Sequence, residues 1–376
     1  MRDAFDDQTL KVTVEMTFPT ALNEPDQVIL DGYIVPSKYL LRQITKILLL
    51  LTIAYSSAFR IAYMYIYLLR NCKLTTKLMI IDCAHATIVA INVLLTVLML
   101  LFAFDWNHFR KFISHIKSLS LETDRLTVRT IKQNRRITQA LLIVTFIIYM
   151  IIFYTQQKAI SIDTVNPFVF NLLCFHEMLI RFVFLFFLNM ICNICFWLKA
   201  AFNHINSQIS DLHDTSDQSF GHLFCKIRDL RQKYSYAVRS TQSAEKLFRW
   251  FITLYYIEYF TYNIVNIVMS LGPKMNIDSI WLLFISIATL YFIILTYYLV
   301  SVNNLSREGL EDLYELSFKL NTAQSCHEND IFIARMALSD VGFTFANLFT
   351  INNNFITSVF TLSFTIIITL ASFIYQ

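Results

Sequence analysis

Seven stretches of this chain are apolar for long enough to cross a lipid bilayer, and that restricts its fold more than any other feature. Covering a hydrocarbon core of about 30 Å takes about 20 mostly apolar residues in a helix. The stretches are Ile47–Leu69, Leu78–Phe104, Ile137–Tyr154, Pro167–Leu198, Leu247–Ser270, Asp278–Val302 and Asn353–Tyr375. Inside lipid every backbone N–H and C=O needs a partner within the protein, and a helix supplies one locally. Only 15% of residues are charged, against about 25% in soluble domains. With 5 Gly and 5 Pro in 376 residues, little interrupts a helix. The expected fold class is an all-α membrane protein with seven transmembrane helices.

The same scarcity of glycine excludes several functions. Gly32, Gly221, Gly272, Gly309 and Gly342 are never closer than 33 residues. Dinucleotide-binding loops, P-loops, nucleophile elbows and GxxxG helix pairs each need two glycines within a few residues. The eight histidines form no HExxH and no nucleophile has a recognisable base, so neither an enzyme nor a cofactor is expected. A net charge of +4 without a basic cluster argues against a nucleic-acid partner. The seven cysteines are scattered. Cys192 and Cys195 form a CxxC inside an apolar run, where free cysteines act as small apolar residues.

Lysine and arginine set the direction of insertion, because they accumulate on the cytoplasmic side. The N-terminal segment and residues 105–136, 199–246 and 303–340 hold 23 of them, against 5 in the intervening loops 70–77, 155–166 and 271–277. The N-terminus is therefore expected in the cytoplasm and the C-terminus outside. The first 46 residues are acidic and lack an apolar core, so no secretory signal is expected. The sequon Asn304-Leu305-Ser306 falls inside the cell on this reading. The expected organisation is a cytoplasmic segment 1–46, helices one to six over 47–302, a cytosolic helical segment 303–340, and a last helix with its lead-in over 341–376.

The fourth span runs on past the membrane. From Pro167 to Leu198 is 32 residues, or about 48 Å of helix. Apolar residues continue at Leu198, Phe202, Ile205, Ile209 and Leu212, and again at Leu223, Ile227, Leu230, Tyr234 and Ala237. These two stripes predict an antiparallel cytosolic hairpin within 199–246. A third stripe is Leu310, Leu313, Leu316 and Leu320. The stripes either pack against one another within the chain or hold several subunits together. A single apolar seam has to be covered by one of these.

Polar side chains interrupt the spans at one depth. The second span carries Asp82, His85 and Asn92, the fourth His176, Glu177 and Arg181, and the fifth Tyr255, Glu258, Tyr262 and Asn266 on one face. Trp281 and Ser286 open the sixth, and Arg60 lies in the first. Ionisable groups are costly in lipid and normally face a cavity or one another. They form either a structural ion-pair network or the wall of a pocket for a small polar ligand.

The last span has no charge, and its hydroxyls recur at Thr357, Thr361, Thr365, Thr369 and Ser372. That is one stripe along a helix. Such hydroxyls either bond their own backbone or line a water-filled path.

Here the sequence resembles a known family, the insect gustatory receptors. Their last span carries Thr-Tyr, five apolar residues, then Gln-Phe. In register, this chain has Thr365-Ile366, Ile367-Ile368-Thr369-Leu370-Ala371, then Ser372-Phe373. Thr365 and Phe373 match, with Ile366 in place of the Tyr and Ser372 in place of the Gln. Upstream, Gly342-Phe343 and Leu348-Phe349-Thr350-Ile351-Asn352 resemble the family's approach to that span. Length, span number and direction agree over the whole chain.

The resemblance implies a fold shared with insect odorant receptors and a ligand-gated cation channel, a homotetramer or a heteromer with related receptors. It implies a pocket for a small-molecule tastant in the outer half of each subunit, and a pore lined by the last span in the plasma membrane. Phe373 would then lie at an apolar constriction. The alternatives are a G-protein-coupled type of receptor, which has its N-terminus outside, a transporter, and a non-sensory relative with this fold.

Overall fold

A computed structural model of the chain describes residues 105–121, 125–161, 167–214, 220–270, 279–338 and 341–375, together with single helical positions between 51 and 95. The chain divides into two units, Met1–Tyr55 and Ser56–Gln376, and all the continuous stretches belong to the second. Asp82, His85 and Asn92, with most of the first two expected spans, lie outside the described residues.

Helix α1 (Trp106–Lys117) starts at Asp105, whose carboxylate accepts the Asn107 N–H at 2.8 Å, meeting one of the donors a helix start leaves open. Helices α2 (Arg125–Ser161) and α3 (Pro167–Asp214) follow, then α4 (Phe220–Glu258). A π-helical turn, Tyr259–Asn263, continues α4 directly into α5 (Ile264–Ser270). Then come α6 (Ser279–Leu305), α7 (Leu310–Ser317) and α8 (Ala323–Ala337). A two-stranded hairpin, β1 (Thr344–Phe345) and β2 (Phe349–Thr350), leads into the last helix, α9 (Asn353–Tyr375). Helix α3 has 48 residues, about 72 Å at 1.5 Å per residue. It packs on α2, α4, α6 and α7.

Four helices contain a stretch long and apolar enough to cross a membrane: Thr127–Ile152, Phe184–Leu212, Ile285–Ser317 and Asn353–Ser372. They fall on the expected third, fourth, sixth and seventh spans, and the protein is a multi-pass membrane protein. Their outer faces are what lipid requires. On α2, Ile137, Ile143, Val144, Ile147 and Ile151 are exposed, while Thr145, Tyr149 and Ile152 turn inward. In water such a continuous apolar face would drive association, whereas a bilayer covers it. The expected fifth span, Leu247–Ser270, is helical throughout but carries Arg249 and Glu258.

The two long stripes close on each other within the chain. Leu198, Phe202, Ile205, Ile209 and Leu212 are all buried, as are Ile227, Leu230, Tyr234 and Ala237. Helix α8 covers the remaining side, with Phe332 against the Tyr234 ring at 5.5 Å and Arg231 Nε paired with Glu328 at 2.9 Å. The Tyr234 hydroxyl donates to the Ser306 carbonyl at 3.0 Å. The intrachain alternative is thus the one realised, and these positions do not face a subunit contact.

The hairpin before α9 turns through Ala346 and Asn347, at φ 51° and 61°. Two successive positive φ values suit the right-handed twist of a short hairpin. The backbone N–H of Ala346 donates to Thr253 Oγ1 at 2.8 Å, and Thr344 Oγ1 donates to the Glu245 carboxylate. Glu245 is buried and held in a two-pronged pair with Arg249, at 2.6 and 2.7 Å. A buried carboxylate needs such compensation, and here the compensation ties α4 to the lead-in of the last helix.

Candidate functional site

Four helices and the π turn leave a cavity of about 30 Å³ between them. A buried water needs about 10–15 Å³ of such space, so the cavity has room for about two waters. Tyr149 of α2 forms one wall, and Phe184, Leu185 and Leu188 of α3 the next. Tyr255 and Glu258 come from the end of α4, Tyr259 and Asn263 from the π turn, and Ala288 and Tyr291 from α6.

Aromatic packing fixes these walls. The Tyr255 ring lies 5.4 Å from Phe184, and the Tyr259 ring stacks on Phe292 at 3.7 Å with 7° between planes. Tyr291 and Thr145 share a hydroxyl hydrogen bond of 2.9 Å across α6 and α2. Behind the cavity, Thr296 Oγ1 donates to the Phe292 carbonyl at 2.7 Å. Its hydrogen is thereby used, so in the 2.7 Å contact between Thr296 and Tyr256 the tyrosine is the donor. Tyr256 is fully buried and packs on Phe345 of the hairpin and Phe355 of α9, at 6.1 and 5.4 Å. Neighbouring residues of α4 thus face different structures: Tyr255 the cavity, Tyr256 the last helix.

The π turn decides which residues reach the cavity. A uniform 3.6-residue period places Tyr255, Glu258, Tyr262 and Asn266 on one face. A π turn closes i to i+5 and advances the lining set, so Tyr259 and Asn263 join Tyr255 and Glu258. The Tyr262 side chain is outside the described residues, while Asn266 is buried. Asn263 is 7% exposed, and neither its Oδ1 nor Asn266 Nδ2 has a hydrogen-bond partner among the described residues.

His176, Glu177 and Arg181 stand on α3 before Phe184, and Trp281 on α6 two turns before Ala288, with their side chains outside the described residues. Ser286 is exposed and bonds the Leu282 carbonyl at 2.8 Å. Tyr149, Phe184, Tyr259, Asn263 and Tyr291 complete the cavity without having been picked out in the sequence. Aromatic residues are so frequent in these spans that nothing in their spacing separates a cavity wall from ordinary packing. Cys192 and Cys195 are both free and buried in α3.

On α9, Thr361, Thr365, Thr369 and Ser372 are exposed in the single chain, as are Phe360, Phe364 and Ile368. Each threonine hydroxyl donates to the carbonyl four residues back, at 2.8–2.9 Å. The backbone-bonding alternative is therefore met, yet it leaves the oxygen lone pairs pointing away from the helix. The Phe373 side chain lies outside the described residues. Helix α9 packs on α5, immediately beyond the π turn.

Neither a protein-family model nor a curated protein matches this sequence. Solved structures do. The olfactory receptor OR5 of the insect Machilis hrabei, in complex with eugenol, superposes with a TM-score of 0.67 at 10% identity, over 93% of each chain. The same receptor described without eugenol gives a TM-score of 0.62 at 10% identity, over 92% of this chain and 93% of that one. The chain has the fold of an insect olfactory receptor from near one end to the other.

Proposed function

We propose that this protein is a chemoreceptor of the insect gustatory type, a ligand-gated, non-selective cation channel of the plasma membrane opened by a small tastant. The observation that carries the reading is the fold shared with OR5 over nearly the whole of both chains. The aromatic cavity is the ligand site, reaching towards Asp82, His85, Asn92, His176, Glu177, Arg181 and Trp281 on the neighbouring turns and spans. Four copies, or a heteromer with related receptors, bring α9 to a central axis. There Thr361, Thr365, Thr369 and Ser372 form hydroxyl rings and Phe373 an apolar constriction. Seven spans, with the N-terminus inside, complete this reading, and the exposed faces of α2 and α6 are its lipid contacts.

Support for the pore comes from α9 itself. It is apolar enough to cross a membrane, yet one face carries a line of oxygen acceptors. Acceptors without a charged ring suit partly hydrated cations and little discrimination among them. The test is whole-cell current from cells expressing this chain alone, screened against sugars, bitter compounds, amines and odorants. A ligand-dependent current reversing near zero with mixed sodium and potassium is expected. No current to any ligand, alone or with related subunits, from protein at the cell surface would refute the channel.

A further inference from the structure

The cavity carries one sign of charge. Among its lining residues only Glu258 is ionisable near neutral pH. The other strong acceptor is Asn263 Oδ1, buried beside it without a hydrogen-bond partner among the described residues. Around them stand the rings of Tyr149, Tyr255, Tyr259 and Tyr291.

A site of this kind asks for a particular ligand. A carboxylate shielded from water is stabilised by a cation brought against it. An acceptor with no donor likewise leaves its desolvation uncompensated. Aromatic faces attract ammonium groups, more strongly as water is excluded, and their apolar surface takes alkyl carbons equally well. A neutral alcohol of the same size would donate one hydrogen bond and bring no counter-charge. A carboxylic acid would place like charges together. Space for about two waters sets the size at a few heavy atoms.

We propose that the ligand of this cavity is a small aliphatic amine of one to three carbons, bound as its ammonium ion. Its N–H groups donate to the Glu258 carboxylate and Asn263 Oδ1, and its carbons lie against the tyrosine rings. The inference rests on reading the cavity as the receptor's ligand site and names the class of molecule that fits it.

The test uses the full-length protein in lipid nanodiscs, with equilibrium binding of ethylammonium chloride and of ethanol, its neutral counterpart in size, at matched ionic strength. Ethylammonium is expected to bind at least tenfold more tightly than ethanol. Glu258→Gln should weaken ethylammonium at least tenfold and leave ethanol unchanged. Should that variant fail to fold, Asn263→Asp adds a second carboxylate while leaving Glu258 intact, and is expected to tighten ethylammonium severalfold. Equal binding of the two probes, no binding of ethylammonium, or an Asn263→Asp variant that does not gain affinity would overturn the proposal.

Current is read separately on the same preparations fused to planar bilayers. Ethylammonium that binds in the stated pattern but opens nothing leaves the amine site standing and defeats the channel reading. A current opened by other compounds, with ethylammonium unbound, leaves the channel and defeats the amine.

Discussion

Ile209 has no accessible surface, and its terminal methyl would lie 3.0 Å from a side chain begun at Gly309. Asn206, one turn earlier, fastens the same contact by donating to the Leu305 carbonyl at 2.9 Å. A charge placed there has neither water nor a counter-ion, and a buried unpaired charge costs several kcal/mol. Ile209→Asp is therefore expected to yield aggregated or degraded protein in detergent, as size-exclusion chromatography would show. A monodisperse, smaller species would instead place this seam between subunits. The seam was legible because apolar residues at steps of four and three leave little doubt about which side of a helix is buried. Which surface covers it was not legible, since the same pattern serves an intrachain and an intersubunit contact equally.

Among the elements, α9 makes the sharpest demand. One residue of its apolar centre, Val359, is buried, while the threonine stripe and the phenylalanines beside it stand exposed. Something covers both, and lipid suits only the phenylalanines. A cysteine at Thr365 is expected to react with a small hydrophilic thiol reagent and block current, faster with ligand present. A cysteine at Ile367, about 160° away around the helix, should react far more slowly. Equal rates at the two sites would make the stripe packing and put the conduction path elsewhere. The stripe could be read in advance because a four-residue repeat over five turns is hard to produce by chance. The hairpin before it could not. Its strands have two residues each, too few for alternation, and its turn uses Ala346-Asn347 where the usual signal contains glycine.

At the scale of the whole molecule, the likeness to OR5 persists at 10% identity because hydropathy, helix length and loop spacing constrain a membrane bundle more than residue identity does. Those same quantities made the helical membrane class legible in the sequence. Direction of insertion is the next property to test. The bias of 23 basic residues to 5 predicts that an N-terminal epitope tag is stained only after permeabilisation, and a C-terminal tag on intact cells. The reverse pattern would favour a receptor of the G-protein-coupled kind. The cavity was half legible: Tyr255 and Glu258 by their place in a span, Tyr259 and Asn263 not, because a regular period was carried across an irregular turn.

That turn has a consequence for reading the ancestry of the chain. A π turn is one residue longer than the α turn it replaces, so counting residues from Glu258 goes out of step with the spatial positions beyond Asn263. A relative with an unbroken helix here, aligned without a gap, would pair every later residue of the span with a neighbour about 100° round the axis. Comparisons of this span need a single-residue gap between Tyr259 and Asn263, put there on geometric grounds. Without it, kinship in the second half of the helix would look like random drift.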